Sequence, residues 1–376
     1  MGLFDKFRNQ NDYDERINNN SNEQKLLEKI ELKDKIIKKL ENDLDSKNNE
    51  IKQLKAEIDN LKLGNELNNH THNENIEESQ SSISIDKNLN KESKNDDAVQ
   101  KNDSDKITEM REKLISAIKE KTKIKSYHII PTEITDGDIF MSKFGGLGYW
   151  DNSMEYPKDD QGNQLILLAQ INFDKDKFDD PNLPSSGLLQ FYILPDELYG
   201  AEFDASMNKN NYKVIFHEKV NYDVKKEDLE NIKTNMMLSD EDECFPFNKE
   251  LKIEFKESYD YINPVNAGFK DVLSDIVKEE FNIDVSDTPL YKVFGEGIMD
   301  YLDEKLIASG SKLLGYPYFT QNDPRESEKY KDYKILLFQM DSDAKLDIMW
   351  GDFGIANFFI TKSKDFSDVF YTWDCT

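Results

Sequence analysis

Cysteine and long apolar runs are both scarce in this sequence. Its two cysteines, Cys244 and Cys375, are too few for a disulfide framework and match no zinc-binding spacing among 376 residues. No apolar run approaches the roughly 18 residues of a membrane span, and the first residues lack the apolar stretch of a signal peptide. We therefore expect a cytoplasmic protein with reduced thiols and without a membrane span, a metal or a cofactor.

Positive charge is also in deficit. The chain has 49 Lys and Arg against 76 Asp and Glu, a formal net charge of −27, and residues 107–376 alone carry 52 acidic and 31 basic side chains. Nucleic-acid binding depends on neutralising phosphates with Lys and Arg, so this composition argues against a nucleic-acid partner. Two interpretations stay open. The acidic surface attracts a basic protein partner, or it only keeps the protein soluble.

Residues 23–63 have apolar side chains at intervals of seven, in two rows set three residues apart within each heptad. Mostly β-branched residues in one row and leucine in the other favour two parallel strands. We predict a coiled coil that forms a homodimer; the alternative is a solitary amphipathic helix packed on the C-terminal domain. The two rows are Ile30, Ile37, Leu44, Ile51 and Ile58, and Leu26, Leu40, Leu54 and Leu61.

The composition changes twice along the chain. Residues 64–106 consist mainly of Asn, Glu, Ser, Asp and Lys, with almost nothing to bury, which is typical of a disordered linker. All three tryptophans lie after residue 107. The predicted organisation is an N-terminal tail (1–22), the coiled coil (23–63), the linker (64–106) and a globular domain (107–376).

The globular part contains an internal repeat. Three blocks recur in the same order at offsets of 169, 169 and 167 residues, which indicates a duplication into halves of about 107–235 and 236–376. Each half has a glycine–aromatic turn, an apolar segment and a second apolar segment. The paired blocks are 142–150 with 311–319, 166–172 with 335–341, and 187–193 with 354–360.

The apolar segments are six to eight residues long and bounded by turn residues, the pattern of buried strands. Helical periodicity is limited to 107–121, 225–233 and 269–280. We predict an α+β fold: a largely antiparallel β domain with internal duplication, its halves related by a pseudo-twofold, preceded by an N-terminal coiled-coil helix.

These blocks together resemble the YwqG-like family, a bacterial domain family of unknown function. The resemblance covers the C-terminal domain only, and it implies this fold but no established reaction. It also implies an immunity-type role, in which the domain binds a partner. The motifs that carry the resemblance are 142–150, 165–173, 187–193, 315–321, 335–343, 349–352, 357–360 and 371–375.

The glycine–aromatic turns are the strongest candidates for a binding site. Aromatic side chains beside fixed amides suit recognition of a ligand or peptide, so the turns and their glutamines are predicted to line equivalent sides of a cleft between the halves. The alternative is that they form core at the interface of the halves. The candidate ligand-binding residues are Tyr149, Trp150, Gln170, Tyr318, Phe319, Gln339, Trp350, Asp352, Trp373 and Asp374.

No catalytic residue is predicted. A Gly-x-Ser-x-Gly elbow is missing, and the folded part has only two histidines, His128 and His217, which we interpret as structural or surface residues. The sequence thus favours a noncatalytic module that binds a protein partner, presented on a dimeric stalk. The alternative is a hydrolase-like enzyme of unknown reaction with its site in the cleft.

Overall fold

The computed structural model describes residues 89–134, 137–201, 210–238 and 244–376, and side chains from Asp105 onward. The predicted tail, the coiled coil and much of the linker lie outside the described residues. Helix α1 (Leu89–Thr122) begins upstream of the predicted start at Ile107, within the segment predicted as linker. Residues 89–106 contain neither Gly nor Pro, so nothing in their backbone chemistry stops a helix there.

One antiparallel sheet dominates the described part of the chain. It has ten strands, in the order β10-β9-β8-β7-β1-β6-β2-β3-β4-β5. The strands are β1 (Ile124–Glu133), β2 (Lys143–Phe144), β3 (Ile166–Asn172), β4 (Leu188–Ile193), β5 (Tyr212–His217), β6 (Leu251–Asp260), β7 (Lys312–Leu314), β8 (Ile335–Asp341), β9 (Ile355–Ile360) and β10 (Val369–Asp374).

The strand order is symmetric about the centre of the sheet. Reading it from the other edge gives the same order once β1 is exchanged with β6, β2 with β7, β3 with β8, β4 with β9 and β5 with β10. We call β1–β5 the first half and β6–β10 the second half. The long strands β1 and β6 pair antiparallel at the centre. Each central strand then pairs on its other side with a strand of the opposite half, β1 with β7 and β6 with β2. The largely antiparallel sheet predicted from the sequence is therefore confirmed.

The inner face of the sheet forms the main core. Side chains from both halves meet in it: Phe191 of β4 lies 4.8 Å from Phe338 and 5.0 Å from Phe358, measured between ring centroids. The two edge strands also approach each other, since the Tyr212 hydroxyl of β5 donates a 2.9 Å hydrogen bond to the Val369 carbonyl of β10. Strands β3, β4 and β9 are buried at every residue, hence on both faces, which explains why these segments are nearly continuous apolar runs.

The helices form a second core with α1. Helices α2 (Phe269–Phe281), α3 (Leu290–Phe294) and α4 (Ile298–Leu306) follow β6. Leu114 and Ile118 of α1 pack with Leu273, Val277 and Leu302. Helix α2 matches the predicted helix at 269–280. The predicted helix at 225–233 is only a short 3-10 turn, Lys226–Leu229.

A row of polar side chains crosses each half at matching positions. The first polar row joins neighbouring strands through the pairs Lys252–Lys143, Lys143–Gln170 and Gln170–Gln190. The second polar row does the same through His128–Lys312, Lys312–Gln339 and Gln339–Asn357. These rows position the glycine–aromatic turns.

Backbone irregularities recur at the same offset. The register slips between Leu167 and Ala169 in β3, and again between Leu336 and Phe338 in β8. Gly145 and Leu314 both have left-handed backbone, with φ of 61° and 58°. This conformation costs a non-glycine residue energy, so its appearance at Leu314 indicates that the surrounding turn imposes it.

Candidate functional site on the outer face of the second half

The glycine–aromatic turn of the first half is fixed by one buried glutamine. The Gln170 Oε1 accepts a 2.9 Å hydrogen bond from the backbone N–H of Tyr149. Its Nε2 donates to the carbonyl oxygens of Ile139 and Met141, at 2.9 and 2.8 Å. One side chain therefore joins the turn to the chain that enters it.

Gln339 does the same in the second half. Its Oε1 accepts a 2.8 Å hydrogen bond from the Tyr318 N–H, and its Nε2 donates to the carbonyls of Ala308 and Gly310, at 3.1 and 2.7 Å. Each partner lies 169 residues after its counterpart in the first half. The side-chain amides of the two glutamines predicted to bind a ligand thus form hydrogen bonds with backbone groups, through both the nitrogen and the oxygen atom.

Each polar row contains a buried lysine on the strand next to the central pair, Lys143 on β2 and Lys312 on β7. The Lys143 ammonium donates to Glu250 at 2.7 Å, and the Lys312 ammonium to Asp260 at 2.6 Å. Both lysine side chains have no exposed surface. Burial lowers the pKa of each lysine, and the paired carboxylate opposes that shift.

The outer end of the first polar row is a closed hydrogen-bond network. Gln190 Nε2 donates to the carbonyl of Tyr149 and to Gln170 Oε1, at 2.7 and 2.8 Å. With its donors used, Gln190 Oε1 accepts from His217 Nε2 at 2.8 Å, which fixes the histidine tautomer. Burial lowers the pKa of His217 to about 4, so the ring is neutral near pH 7.

The outer end of the second polar row differs at both positions. Asn357 replaces Gln190, and its Nδ2 donates to the Tyr318 carbonyl at 3.0 Å. Asp374 replaces His217, because it pairs with Ile355 as His217 pairs with Leu188. Asp374 Oδ2 accepts from the Gln321 N–H at 2.8 Å. Asp374 Oδ1 and Asn357 Oδ1 are buried and make no hydrogen bond of good geometry, although the hydroxyl and N–H of Thr320 lie close enough to Asp374 to lower its pKa.

Acidic groups surround the tyrosine of the second turn. Tyr318 is half-buried, and its pKa is raised by burial and by the nearby negative charges of Asp303, Asp341 and Asp374. Burial also raises the pKa of Asp341 and of Asp374. We call this cluster, together with Thr320 and Asn357, the Tyr318 site.

The counterpart of this site in the first half is covered. The Tyr149 hydroxyl accepts a 3.0 Å hydrogen bond from the Asn221 N–H, and the His217 ring lies 5.1 Å from the Tyr149 ring. Tyr149 has only 1% of its surface exposed. Of the two matching tyrosines, Tyr318 is therefore the more exposed.

The residues predicted as a site lie in separate places. Tyr149 and Trp150 belong to the outer face of the first half, and Tyr318, Phe319 and Asp374 to that of the second. Trp350 and Trp373 lie instead on the inner face, where both contact Tyr199 at 5.4 and 5.0 Å between ring centroids. Asp352 is exposed in the turn before β9.

Sequence reasoning missed four members of the Tyr318 site. Asp303 lies in helix α4, and nothing in the sequence around it indicates that this helix lies near the glycine–aromatic turn. Thr320 and Asn357 are polar residues without a motif of their own. Their proximity to Tyr318 becomes visible only in the fold. The repeat offset was a usable signal for Asn357, since it aligns this residue with Gln190. The fourth is Asp341.

The site combines carboxylate and amide oxygens, which accept hydrogen bonds, with the hydroxyls of Tyr318 and Thr320, which also donate. Within the described residues, no group of three or more His, Cys, Asp or Glu side chains is close enough to hold a metal ion. None of the described helices combines the length and apolar composition needed to cross a lipid bilayer.

Comparison with known proteins places the domain in a group without assigned activity. The model of a family described as a domain of unknown function (DUF1963) matches residues 142–375. The matched residues lie within the C-terminal part of the chain, which is therefore a domain of uncharacterised function. No curated protein matches the chain.

Proposed function

The chain belongs to the DUF1963 family, and from this premise we propose that its C-terminal domain is a noncatalytic module that binds a basic protein partner. One observation carries the proposal. The Tyr149 side chain of the first half is buried, whereas the corresponding Tyr318 of the second is partly exposed, and burial and the nearby negative charges of Asp303, Asp341 and Asp374 raise the pKa of its hydroxyl. A partly exposed aromatic ring beside negative charge suits contact with a cationic side chain.

The charge of the chain supports a basic partner. With a net charge of −27, the chain repels anions at long range and attracts cations, which raises the association rate of a basic protein. The carboxylates of Asp303, Asp341 and Asp374 add a local negative potential around Tyr318. Long-range attraction and local acceptors thus favour the same kind of partner.

The predicted stalk would increase the strength of binding. If residues 23–63 form a parallel homodimer, each assembly presents two domains, and the second contact benefits from a raised effective concentration. An immunity-type role fits this arrangement, since it requires tight binding of a partner and no turnover.

A test uses the full chain immobilised and a set of equal-length peptides of positive, zero and negative net charge. We expect only the basic peptides to be retained, with affinity falling as salt rises above about 0.1 M. The matched control is each basic peptide with its lysines acetylated. Equal retention of acidic peptides, or affinity indifferent to salt, would contradict the proposal.

A second candidate function has one observation in its favour. Two partly buried carboxyls with raised pKa, Asp341 and Asp374, near a tyrosine hydroxyl resemble the acid–base groups of a hydrolase. Incubating the chain with ester, phosphate and glycoside substrates tests this alternative. Turnover abolished by Asp374→Asn and preserved in Glu227→Gln, which removes an exposed carboxylate of the first half, would favour the enzyme over the binding module.

A further inference from the structure

A cavity of about 420 Å³ lies among four segments: the first residue of β1, the loop before α2, the second glycine–aromatic turn and the segment that precedes β8. Three cationic side chains line it, Arg325, Lys331 and Lys334, and none of the described residues on its wall is acidic. The chain as a whole has 76 acidic against 49 basic residues, so this wall is the reverse of the overall composition. Its volume is within the range of small-molecule sites, about 300–1,000 Å³.

The guanidinium of Arg325 is held in one orientation at this wall. Its Nε and Nη2 donate to the carboxylate of Asp323 at 2.9 and 2.6 Å, and its central carbon lies over the Phe359 ring, 4.4 Å from the centroid. These bonds use two of the five N–H donors of an arginine, and the other three have no partner among the described residues. The side chain keeps 11% of its surface exposed. A donor group fixed in this way loses little entropy when it binds a ligand.

The two lysines of the cavity differ in their partners. Lys331 forms an ion pair with Glu328, whereas the Lys334 ammonium has neither a hydrogen bond nor an ion pair within the part of the chain that the structure describes. Asp323 and Glu328 therefore balance two of the three cations, and Lys334 leaves one positive charge in excess among these groups. An unpaired ammonium on a wall without carboxylates attracts an anion.

The matching position of the first half has no cation. Arg325 lies 169 residues after Tyr156. Tyr156 packs against Tyr192 at 5.7 Å between ring centroids, and Tyr192 occupies the strand position that corresponds to Phe359. Packing on that ring therefore requires no charge, and the arginine adds hydrogen-bond donors that the first half lacks at this place.

The rest of the wall suits the body of an organic ligand. Ile124, Tyr316 and Pro317 line it; Tyr316 is half-buried, and Ile124 has 38% of its surface exposed. Aromatic and apolar surface beside a few polar groups is the usual composition of a small-molecule site. A phosphate monoester matches the polar groups, because it carries a charge of about −2 near pH 7 and three acceptor oxygens for Arg and Lys donors.

We propose that this cavity binds a small organic phosphate, whose phosphate group contacts Arg325 and Lys334 and whose aromatic or apolar body packs on Tyr316. This inference goes beyond the proposed function and does not depend on it, since the two ligands have opposite charge and Tyr318 is not on the cavity wall. The acidic chain repels anions at long range, but salt screens that repulsion beyond about 8 Å at 0.15 M, whereas direct contacts persist.

Calorimetric titration of the full chain at about 0.15 M salt tests the proposal. The probes are phenyl phosphate and adenosine 5′-monophosphate, with inorganic phosphate, phenol and adenosine as controls that lack either the organic body or the phosphate. We expect saturable binding of at least one organic phosphate, weaker binding of inorganic phosphate and none of phenol or adenosine. The Arg325 Nε–H, which donates to Asp323, should shift in nuclear magnetic resonance spectra on addition of the organic phosphate that binds.

Variants of the unpaired lysine place the binding in this cavity. Lys334→Gln should weaken binding of the organic phosphate about tenfold, because it removes a charge-assisted hydrogen bond, and Lys334→Glu should abolish it. Lys345→Gln and Lys345→Glu are the matched controls, since Lys345 is an exposed lysine of the same half that does not line the cavity. All four variants should keep the unfolding transition of the unaltered chain.

Three results would overturn the proposal. The first is no saturable binding of either organic phosphate to the unaltered chain. The second is inorganic phosphate that binds as tightly as the organic phosphates, which would leave the aromatic wall without a role. The third is binding that survives Lys334→Glu, or that Lys345→Glu weakens equally, since the anion would then respond only to the overall charge of the chain.

Discussion

Two buried lysines, Lys143 and Lys312, occupy positions where most proteins have apolar residues. Each ammonium has a carboxylate partner, and each also donates to a backbone carbonyl at 2.6 Å, that of Leu147 or Ala308. These two hydrogen bonds, one of them to a carboxylate, offset part of the desolvation cost of each ammonium, and removing one partner of a buried pair typically costs about 3–5 kcal/mol. The lysines therefore fix the geometry of the central strands rather than provide reactive amines.

His217 is the residue whose chemistry depends most clearly on pH. Its folded pKa of about 4 lies below the ordinary value of 6.5, so the fold favours the neutral ring. The resulting stability is fully present above pH 6.5 and is lost as the pH falls towards 4. In denaturant unfolding, we expect the unaltered chain to lose roughly 1–2 kcal/mol more between pH 7 and pH 5 than His217→Gln loses.

The exposed neighbour Glu218 supplies the control for this experiment. Glu218→Gln should retain the pH dependence of the unaltered chain, since it leaves the buried ring in place. Ring resonances of His217 that titrate near pH 6.5 would contradict the assignment of a neutral structural histidine.

At the scale of elements, the glycine–aromatic turns depend on single side chains from the neighbouring strand. The turns need left-handed backbone, and an added Cβ at Gly146 would lie 2.5 Å from the Glu250 carboxyl carbon. An added Cβ at Gly315 would lie 2.2 Å from Asp260 Oδ2. The turn, the buried lysine pair and the glutamine therefore form one unit in each half.

Replacing Gln339 tests that unit. Gln339→Met keeps the side-chain length but leaves the Tyr318 N–H without its acceptor, so we expect a loss of about 1–3 kcal/mol in unfolding free energy. The Tyr318 amide should also exchange with solvent faster, as measured by hydrogen–deuterium exchange. The exposed Gln161→Met serves as the control and should change neither quantity. Unaltered protection of Tyr318 would show that the glutamine does not hold the turn.

The elements also show where sequence reasoning succeeds and where it stops. Blocks at 166–172 and 335–341 were recognisable because strands buried on both faces are continuous apolar runs, and they became β3 and β8. Strand β6 gave no such signal, because Lys252, Glu254 and Lys256 alternate with its inward apolar residues. The predicted helix at 225–233 is only the 3-10 turn Lys226–Leu229, although Leu229 and Ile232 pack in one apolar cluster with Trp150.

The candidate site was predictable only in part for a related reason. Tyr318 and Gln339 stood out through the repeat and Asp374 through the family resemblance, and the structure places all three on one face. The repeat reflects residues that the two halves have in common, whereas the Tyr318 site depends on positions at which the halves have different residues. A search for differences between aligned blocks, such as Gln190 against Asn357, is the step that sequence reasoning lacked.

For the whole molecule, the exchange of strands between halves has the largest consequence. Strand β1 is the first strand of the first half, yet both of its neighbours, β6 and β7, belong to the second. Strand β2 likewise pairs with β6 of the second half. Neither half can complete its own hydrogen bonding, because the central strands would lose their partners.

We therefore expect the described domain to unfold as one unit and its halves to need each other. Expressed alone, residues 89–238 and residues 239–376 should each lack a cooperative unfolding transition in circular dichroism. Mixed or co-expressed, they should associate and recover one cooperative transition, since the shared core and the β1–β6 pairing form only in the complex. A half that folds cooperatively by itself, with its strands protected from hydrogen exchange, would contradict this dependence and would mean that the central pairing is a contact between two independent units.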